Sequence, residues 1–323
     1  MSIITRRERF RGALVGVLAG DALGAPYETM KSDEIKRDLE IRGGLTLFDY
    51  ENPWKHESQL IFPKGRPTDD SDQTAALAES LIACRGLDER DVFSRLRSVT
   101  IDQKSPLWNG VACGAGRTTR TMLSPTTYEE SQMLSSEGAF PSNGSLMRAS
   151  PMSLFFAATF SAGGVDNRLV RRMSEITHRH PLAGDCCVAY AWILTMLLTV
   201  RRPNLDIAIA TARFELDDNQ VLAKLLDDPT VKPNDPSVWP GRGAAFLTLH
   251  VALWALLTTS SFREGIIKVV SFGGDTDTYA AVAGALLGAY YGVNSIPDEW
   301  KDSLIGCDVM EDLADKLLAL GEP

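Results

Sequence analysis

The chain has 323 residues, 44% of them hydrophobic, and its Gly 26 and Pro 16 are scattered rather than clustered, which excludes disorder, low-complexity tracts and a repeat solenoid. A formal net charge of -9 and a pI near 5.1 leave no basic stripe to displace counterions, so nucleic acid is not an expected partner. Cys84, Cys113, Cys186, Cys187 and Cys307 are odd in number and lack C-x-x-C spacing, which argues against a disulfide scaffold or zinc cluster and fits a reducing cytoplasm.

Apolar residues recur at helical rather than alternating spacing, in segments rich in Ala, Leu and Met, so the expectation is an all-α fold forming one compact domain over residues 1–323. The first helix is expected over residues 9–20. Arg6-Arg7 ahead of the apolar run Gly12 to Gly20 and Ala22-Leu23-Gly24-Ala25 has the outline of an export signal, but the run is short and Asp21 follows it directly. A loop over residues 43–67, with Pro53, Pro63 and Gly65, leads to helices over 72–84 and 89–99. Further helices are expected over 166–177, 182–200, 243–259, 276–291 and 308–319. Between residues 227 and 243, Pro229, Pro233, Pro236 and Pro240 interrupt any helix and predict a surface loop. The apolar stretches Cys186 to Val200 and Ala244 to Thr258 fall short of the about 20 residues a bilayer requires, so they read as buried helices and no membrane is expected.

Two segments concentrate oxygen ligands. Thr68-Asp69-Asp70-Ser71-Asp72 crowds carboxylates into the first turn of an Ala/Leu-rich helix, and Gly273-Gly274-Asp275-Thr276-Asp277-Thr278 does the same at a remote one. Each alone is explained by capping and the helix dipole. Two matched sets, with glycines permitting close approach and neither Cys nor His among them, point to Mg2+ or Mn2+ rather than zinc. The small residues of Ala280 to Ala289 predict a central helix that holds the second set rigidly.

Gly114-Ala115-Gly116-Arg117-Thr118-Thr119 offers backbone N–H groups and hydroxyls suited to a diphosphate, or a plain turn into a helix. In Ser142-Asn143-Gly144-Ser145-Leu146-Met147-Arg148, Asn143 or Ser145 can cap a following apolar helix, and Arg148 suits either a phosphate or a buried ion pair. Of the four histidines, His178 is the site candidate. For His180 a bond to a backbone carbonyl at a helix junction is preferred, His250 reads as a satisfied core residue, and His56 as a loop residue.

Gly20-Asp21-Ala22-Leu23-Gly24 with Glu28, Thr68-Asp69-Asp70-Ser71, Asn143-Gly144-Ser145-Leu146-Met147-Arg148, Thr177-His178 with His180-Pro181, and Gly273-Gly274-Asp275-Thr276-Asp277-Thr278 occur in the order found in ADP-ribosylglycohydrolases, and the chain resembles that family over residues 9–294. No signature is placed between 200 and 265. The resemblance implies a multi-helix orthogonal bundle with a binuclear cleft holding two Mg2+ or Mn2+ ions. Thr68, Asp69 and Asp70 would supply ligands from one side, and Asp275, Asp277 and Thr278 from the other. Glu28 falls where such enzymes carry a mobile glutamate, making Glu28, Asp69, Asp70 and Asp275 the catalytic candidates. Gly114, Gly116, Thr118, Asn143, Gly144, Ser145, Met147 and His178 would line the ADP-ribose pocket. Where dinitrogenase-reductase-activating members carry an aspartate in the phosphate loop, this chain has Gly114, so no mechanism using that carboxylate is carried over.

The activity so implied is removal of ADP-ribose from a modified protein, with arginine as the first acceptor by analogy. Serine or ester linkages are alternatives, as are a catalytically silent member and an immunity-type partner that blocks an ADP-ribosyltransferase.

Overall fold

The computed structural model describes residues 4–52, 61–160, 164–216, 219–237 and 241–321. His56 and Pro240 lie outside them. Among these residues the regular structure is almost wholly helical, as the spacing predicts. In order the helices are α1 (Arg6–Gly24), α2 (Ser32–Arg42), α3 (Asp69–Cys84), α4 (Glu89–Thr100), α5 (Arg117–Leu123), α6 (Tyr128–Gln132), α7 (Ser150–Thr159), α8 (Asn167–Glu175), α9 (Pro181–Thr199), α10 (Leu205–Glu215), α11 (Gln220–Asp227), α12 (Ala245–Thr258), α13 (Phe262–Val270), α14 (Thr276–Tyr291), α15 (Asp298–Lys301) and α16 (Cys307–Ala319). A two-residue antiparallel ladder, β1 (Tyr50–Glu51) with β2 (Ile61–Phe62), interrupts the 43–67 loop.

Every helix expected from apolar spacing is present. The first begins earlier because Thr5 and Glu8 form a capping box, which satisfies N–H groups of a polar first turn that carries no apolar period. Helices α2, α6, α10, α11, α13 and α15 lie outside the expectation, several being too short to show a period, while α5 and α7 follow the Gly114 and Asn143 segments, where a helix is foreseen without bounds. The Asn143 segment caps no helix: Asn143–Ser145 is a 3-10 turn, and α7 starts only at Ser150.

The site is positioned by one crossing. Gly12, Gly16, Gly20 and Gly24 of α1 face Gly288, Gly284, Ala280 and Thr276 of α14, so the two helices run antiparallel in backbone contact. A side chain on either ridge would hold the axes apart. At one end the buried Arg9 donates to the carbonyls of Ala289 (2.7 Å) and Tyr290 (3.0 Å), capping the C-terminus of α14. At the other, the Thr276 hydroxyl donates to the Gly24 carbonyl at 2.8 Å. The C-terminus of α1, with Glu28 just beyond it, therefore meets the N-terminus of α14.

Helix α9 supports this pair from below, packing against α7, α8, α10, α12 and α14. It is longer than the apolar run alone suggested, and by length and composition it could cross a bilayer; 72% of its apolar window is nevertheless buried within the fold. Buried apolar side chains from Phe10 to Leu317 form one continuous cluster. The five cysteines are free.

Candidate active site

Three helix ends converge on a cleft of about 320 Å³. Asp21, fully buried on α1, accepts hydrogen bonds from the backbone N–H and hydroxyl of Thr68 (3.0 and 2.8 Å) and of Ser71 (3.1 and 2.5 Å). This pins the first turn of α3 to α1 and points Asp69 and Asp70 into the cleft. Just before α14, Gly273 (φ 84°) and Gly274 (φ 91°) take left-handed conformations and bring the chain against the 29–32 segment: Thr29 N–H donates to the Gly274 carbonyl at 2.7 Å, and a Cβ on Gly273 would lie 2.8 Å from the Met30 carbonyl oxygen. That turn delivers Asp275 and Asp277 beside Glu28, with ligand oxygens of the three within 4.8 Å of one another.

Three of the carboxylates are held from behind. The Asn143 amide donates to Asp275 Oδ2 at 2.7 Å and to the Thr248 hydroxyl at 2.9 Å. Thr278 N–H donates to Asp277 Oδ1 at 2.8 Å, and Gln73 Nε2 to Asp69 Oδ2 at 2.7 Å. Asp70 Oδ1 is buried without a hydrogen-bond partner among the described residues. Burial first, then the negative charge of neighbouring acids, pushes the Asp69, Asp70 and Asp277 carboxyls well above the usual carboxylate range. Burial raises Asp21 and Asp275 too, opposed by hydrogen bonds from Ser71 and Thr68 to the first and from Asn143 to the second. So many acids in a small buried volume are stabilised by cations, and an all-oxygen set with an unsatisfied buried oxygen suits hard divalent ones.

The opposite wall is largely backbone and small side chains: Gly114, Gly116, Thr118, Thr119, Gly144 and Met147, with His178 at its edge. His178 is 3% exposed, and burial followed by the nearby Arg148 charge lowers its pKa to about 3, so the ring is neutral. Beyond it a second lobe of about 470 Å³ opens, sharing Arg117, Thr118, Phe140 and His178.

Of the residues singled out from sequence, the cleft brings together Glu28, Asp69, Asp70, Gly114, Gly116, Thr118, Asn143, Gly144, Met147, His178, Asp275, Asp277 and Thr278. Two lie behind its lining. The Thr68 hydroxyl is turned to Asp21 and Asp70, and Ser145, fully buried, accepts a hydrogen bond from Ser174 at 2.7 Å. Arg148 is also fully buried and binds neutral acceptors, Gln73 Oε1, the Gly144 carbonyl and the Thr177 hydroxyl, rather than a phosphate or an ion-pair partner. The His180 ring accepts from Leu182 N–H at 3.1 Å as the N-cap of α9, instead of bonding a carbonyl. His250 Nε2 bonds the Val231 carbonyl at 2.9 Å, tying the 228–237 segment to α12.

Sequence reasoning missed Arg242 and Gly243, which complete the wall next to Asp275. They arrive because Asn143 N–H donates to the Gly243 carbonyl (2.9 Å) and Ala245 N–H to that of Pro141 (2.9 Å), a pairing of segments about a hundred residues apart that no local signal announces.

Comparison with known proteins agrees with this geometry. The ADP-ribosylglycohydrolase family model matches residues 2–323. ADP-ribosylhydrolase ARH3 of Mus musculus is 26% identical, over 96% of this chain and 90% of its own. ADP-ribosylarginine hydrolase Tri1 of Serratia proteamaculans is 27% identical, over 96% of this chain and 79% of its own. A solved structure described as an ADP-ribosylglycohydrolase-related protein complex superposes with a TM-score of 0.77 at 30% identity, covering 98% of this chain and 99% of that one.

Proposed function

The chain belongs to the ADP-ribosylglycohydrolase family, and on that footing we propose that it is a single-domain, divalent-metal-dependent hydrolase that removes mono-ADP-ribose from modified protein side chains, arginine first among them. The observation that carries this is the meeting of the Asp69–Asp70 and Asp275–Asp277 helix starts on one wall of a cleft whose other wall is glycine-rich backbone.

Asp69, Asp70, Asp275, Asp277 and Thr278 would hold two cations, Mg2+ or Mn2+, with Glu28 at their edge. Bound there, the ions supply Lewis-acid orientation of the distal ribose diol and a lowered pKa for water. The rest falls to the chain. Asn143, Gln73 and the Thr278 N–H keep the carboxylates from rotating, which holds the sugar in a near-attack position. Hydrolysis breaks the bond between the anomeric carbon and the acceptor nitrogen; water gives its hydroxyl to the carbon and its proton passes to the departing guanidine. Glu28, beside Asp275 and Asp277, is the carboxylate placed to carry that proton. The backbone of residues 114–116, the Thr118 and Thr119 hydroxyls and Gly144 offer donors and space for the diphosphate.

The acceptor is assigned by analogy with Tri1, whose name specifies arginine. The test is incubation with arginine-linked and serine-linked ADP-ribosylated proteins, with and without Mg2+ or Mn2+, following free ADP-ribose. Release that requires the metal and is faster from arginine is expected. No release from either linkage at saturating metal overturns the reading, and faster release from serine overturns the arginine assignment.

A further inference from the structure

Behind the cleft a buried chain of hydrogen bonds joins its two walls. Asp69 Oδ2 accepts from Gln73 Nε2 (2.7 Å), Gln73 Oε1 from Arg148 Nη1 (2.9 Å), and the Thr177 hydroxyl from Arg148 Nη2 (2.5 Å); Thr177 Oγ1 then lies 2.7 Å from His178 Nδ1. Every member is at most 5% exposed.

The donors in this chain have only one consistent arrangement. A guanidinium donates and never accepts, so both groups facing Arg148 must present lone pairs. Gln73 therefore turns its carbonyl to Arg148 and its NH2 to Asp69. Thr177 has spent one lone pair on Arg148 and has a single proton to place. Among the described residues the acceptor within reach of that proton is His178 Nδ1, and leaving the proton unmet in the interior would cost about 1–3 kcal/mol. With Nδ1 accepting, the proton of a neutral imidazole sits on Nε2. That edge lies against Gly144 of the cleft wall, where a Cβ would come within 2.9 Å of Nε2 and 2.8 Å of Cε1, and His178 lines both lobes of the cleft.

We propose that Arg148 and Thr177 are positioning residues that fix His178 as the Nε2–H tautomer, so that the ring presents a permanent hydrogen-bond donor to an oxygen of the ligand at the junction of the two lobes. The same guanidinium, through Gln73, fixes the donor that orients Asp69. One buried cation thus sets the polarity of the diol side and the diphosphate side together. Arg148 remains charged in this role, since burial lowers its pKa only to about 10. The identity of the oxygen as one belonging to ADP-ribose rests on the functional reading above; the tautomer does not.

The experiment is long-range 1H–15N correlation of the imidazole nitrogens in the full chain, with His178→Gln to assign the signal. The wild type is expected to show Nε2 protonated and Nδ1 unprotonated at pH 7. Thr177→Val should release the ring to a mixture of tautomers, and Thr177→Ser should restore the single form. A protonated Nδ1 in the wild type, or an unchanged tautomer in Thr177→Val, overturns the proposal. Calorimetry with ADP-ribose supplies the second readout: Thr177→Val is expected to bind about tenfold more weakly, with Thr177→Ser recovering. Equal affinity of the valine variant would remove the positioning role. Failure of the wild type to bind ADP-ribose would instead count against the functional reading, leaving the tautomer result to stand or fall by the spectra.

Discussion

Gly16 and Gly284 meet backbone to backbone: a methyl group on the first would lie 2.1 Å from the carbonyl oxygen of the second, and one on the second 2.0 Å from the carbonyl oxygen of the first. Because α1 and α14 are antiparallel, this contact fixes how far Glu28 stands from Asp275 and Asp277. Gly16→Ala or Gly284→Ala is expected to destabilise the protein by about 3 kcal/mol or more, as neither carbonyl can move without unpacking its helix. Gly86→Ala, where nothing lies within 4 Å, serves as the control. Urea midpoints measure the difference, and equal midpoints would mean that the crossing yields.

Asp21→Asn removes a charge that four donors share. An amide in its place has one acceptor oxygen where two serve four donors, so its NH2 faces either the Ser71 N–H, which cannot accept, or the Thr68 hydroxyl, which must reorient to accept. A loss of about 3 kcal/mol is expected. Divalent-ion affinity should fall with it, although Asp21 is outside the cleft lining. Retained stability and affinity would show that the first turn of α3 is held by other contacts.

Metal affinity separates the carboxylates from their supports. Asp70→Asn is expected to abolish calorimetric binding of Mg2+ and Mn2+. Asn143→Ala, which frees Asp275 to rotate, is expected to weaken it roughly tenfold. Both variants should retain wild-type helical circular dichroism. Undiminished binding in the folded Asp70 variant would remove that acid from the ligand set.

His178 gives the pH dependence a definite sign. Burial lowers its pKa from 6.5 to about 3, so between those values the unfolded chain binds a proton that the folded chain refuses. Its contribution to stability is present above pH 6.5 and is lost as pH falls toward 3. At pH 5 the loss is on the order of 2 kcal/mol. His178→Gln should show an acid limb shallower than wild type by that amount when urea unfolding is compared at pH 7.5 and pH 5. Parallel limbs would mean that the ring takes up its proton without unfolding.

The helices expected from the sequence were legible because their period is local: Ala, Leu and Met on a repeating face announce a helix wherever that face is buried. The oxygen-rich starts of α3 and α14 were legible for the same reason, as Asp and Thr at a helix N-terminus form a local pattern. The small residues of Ala280 to Ala289 also announced a close neighbour, but nothing in them named it. That Gly12, Gly16, Gly20 and Gly24 were the answering ridge depended on the register of two helices more than two hundred residues apart.

By itself, then, the sequence determined an all-helical chain and two acid-rich helix starts, and it carried the motifs of its family, all properties of residues near one another along the backbone. Tertiary structure alone decided that Asp21 is the acceptor which pins α3, that Thr68 and Ser145 turn behind the cleft, that Arg242 and Gly243 close its wall, and that Arg148 donates to neutral groups on both sides. Those outcomes turn on where a donor finds its acceptor in three dimensions, and hydrogen bonds reach about 3 Å through space without regard to separation in sequence.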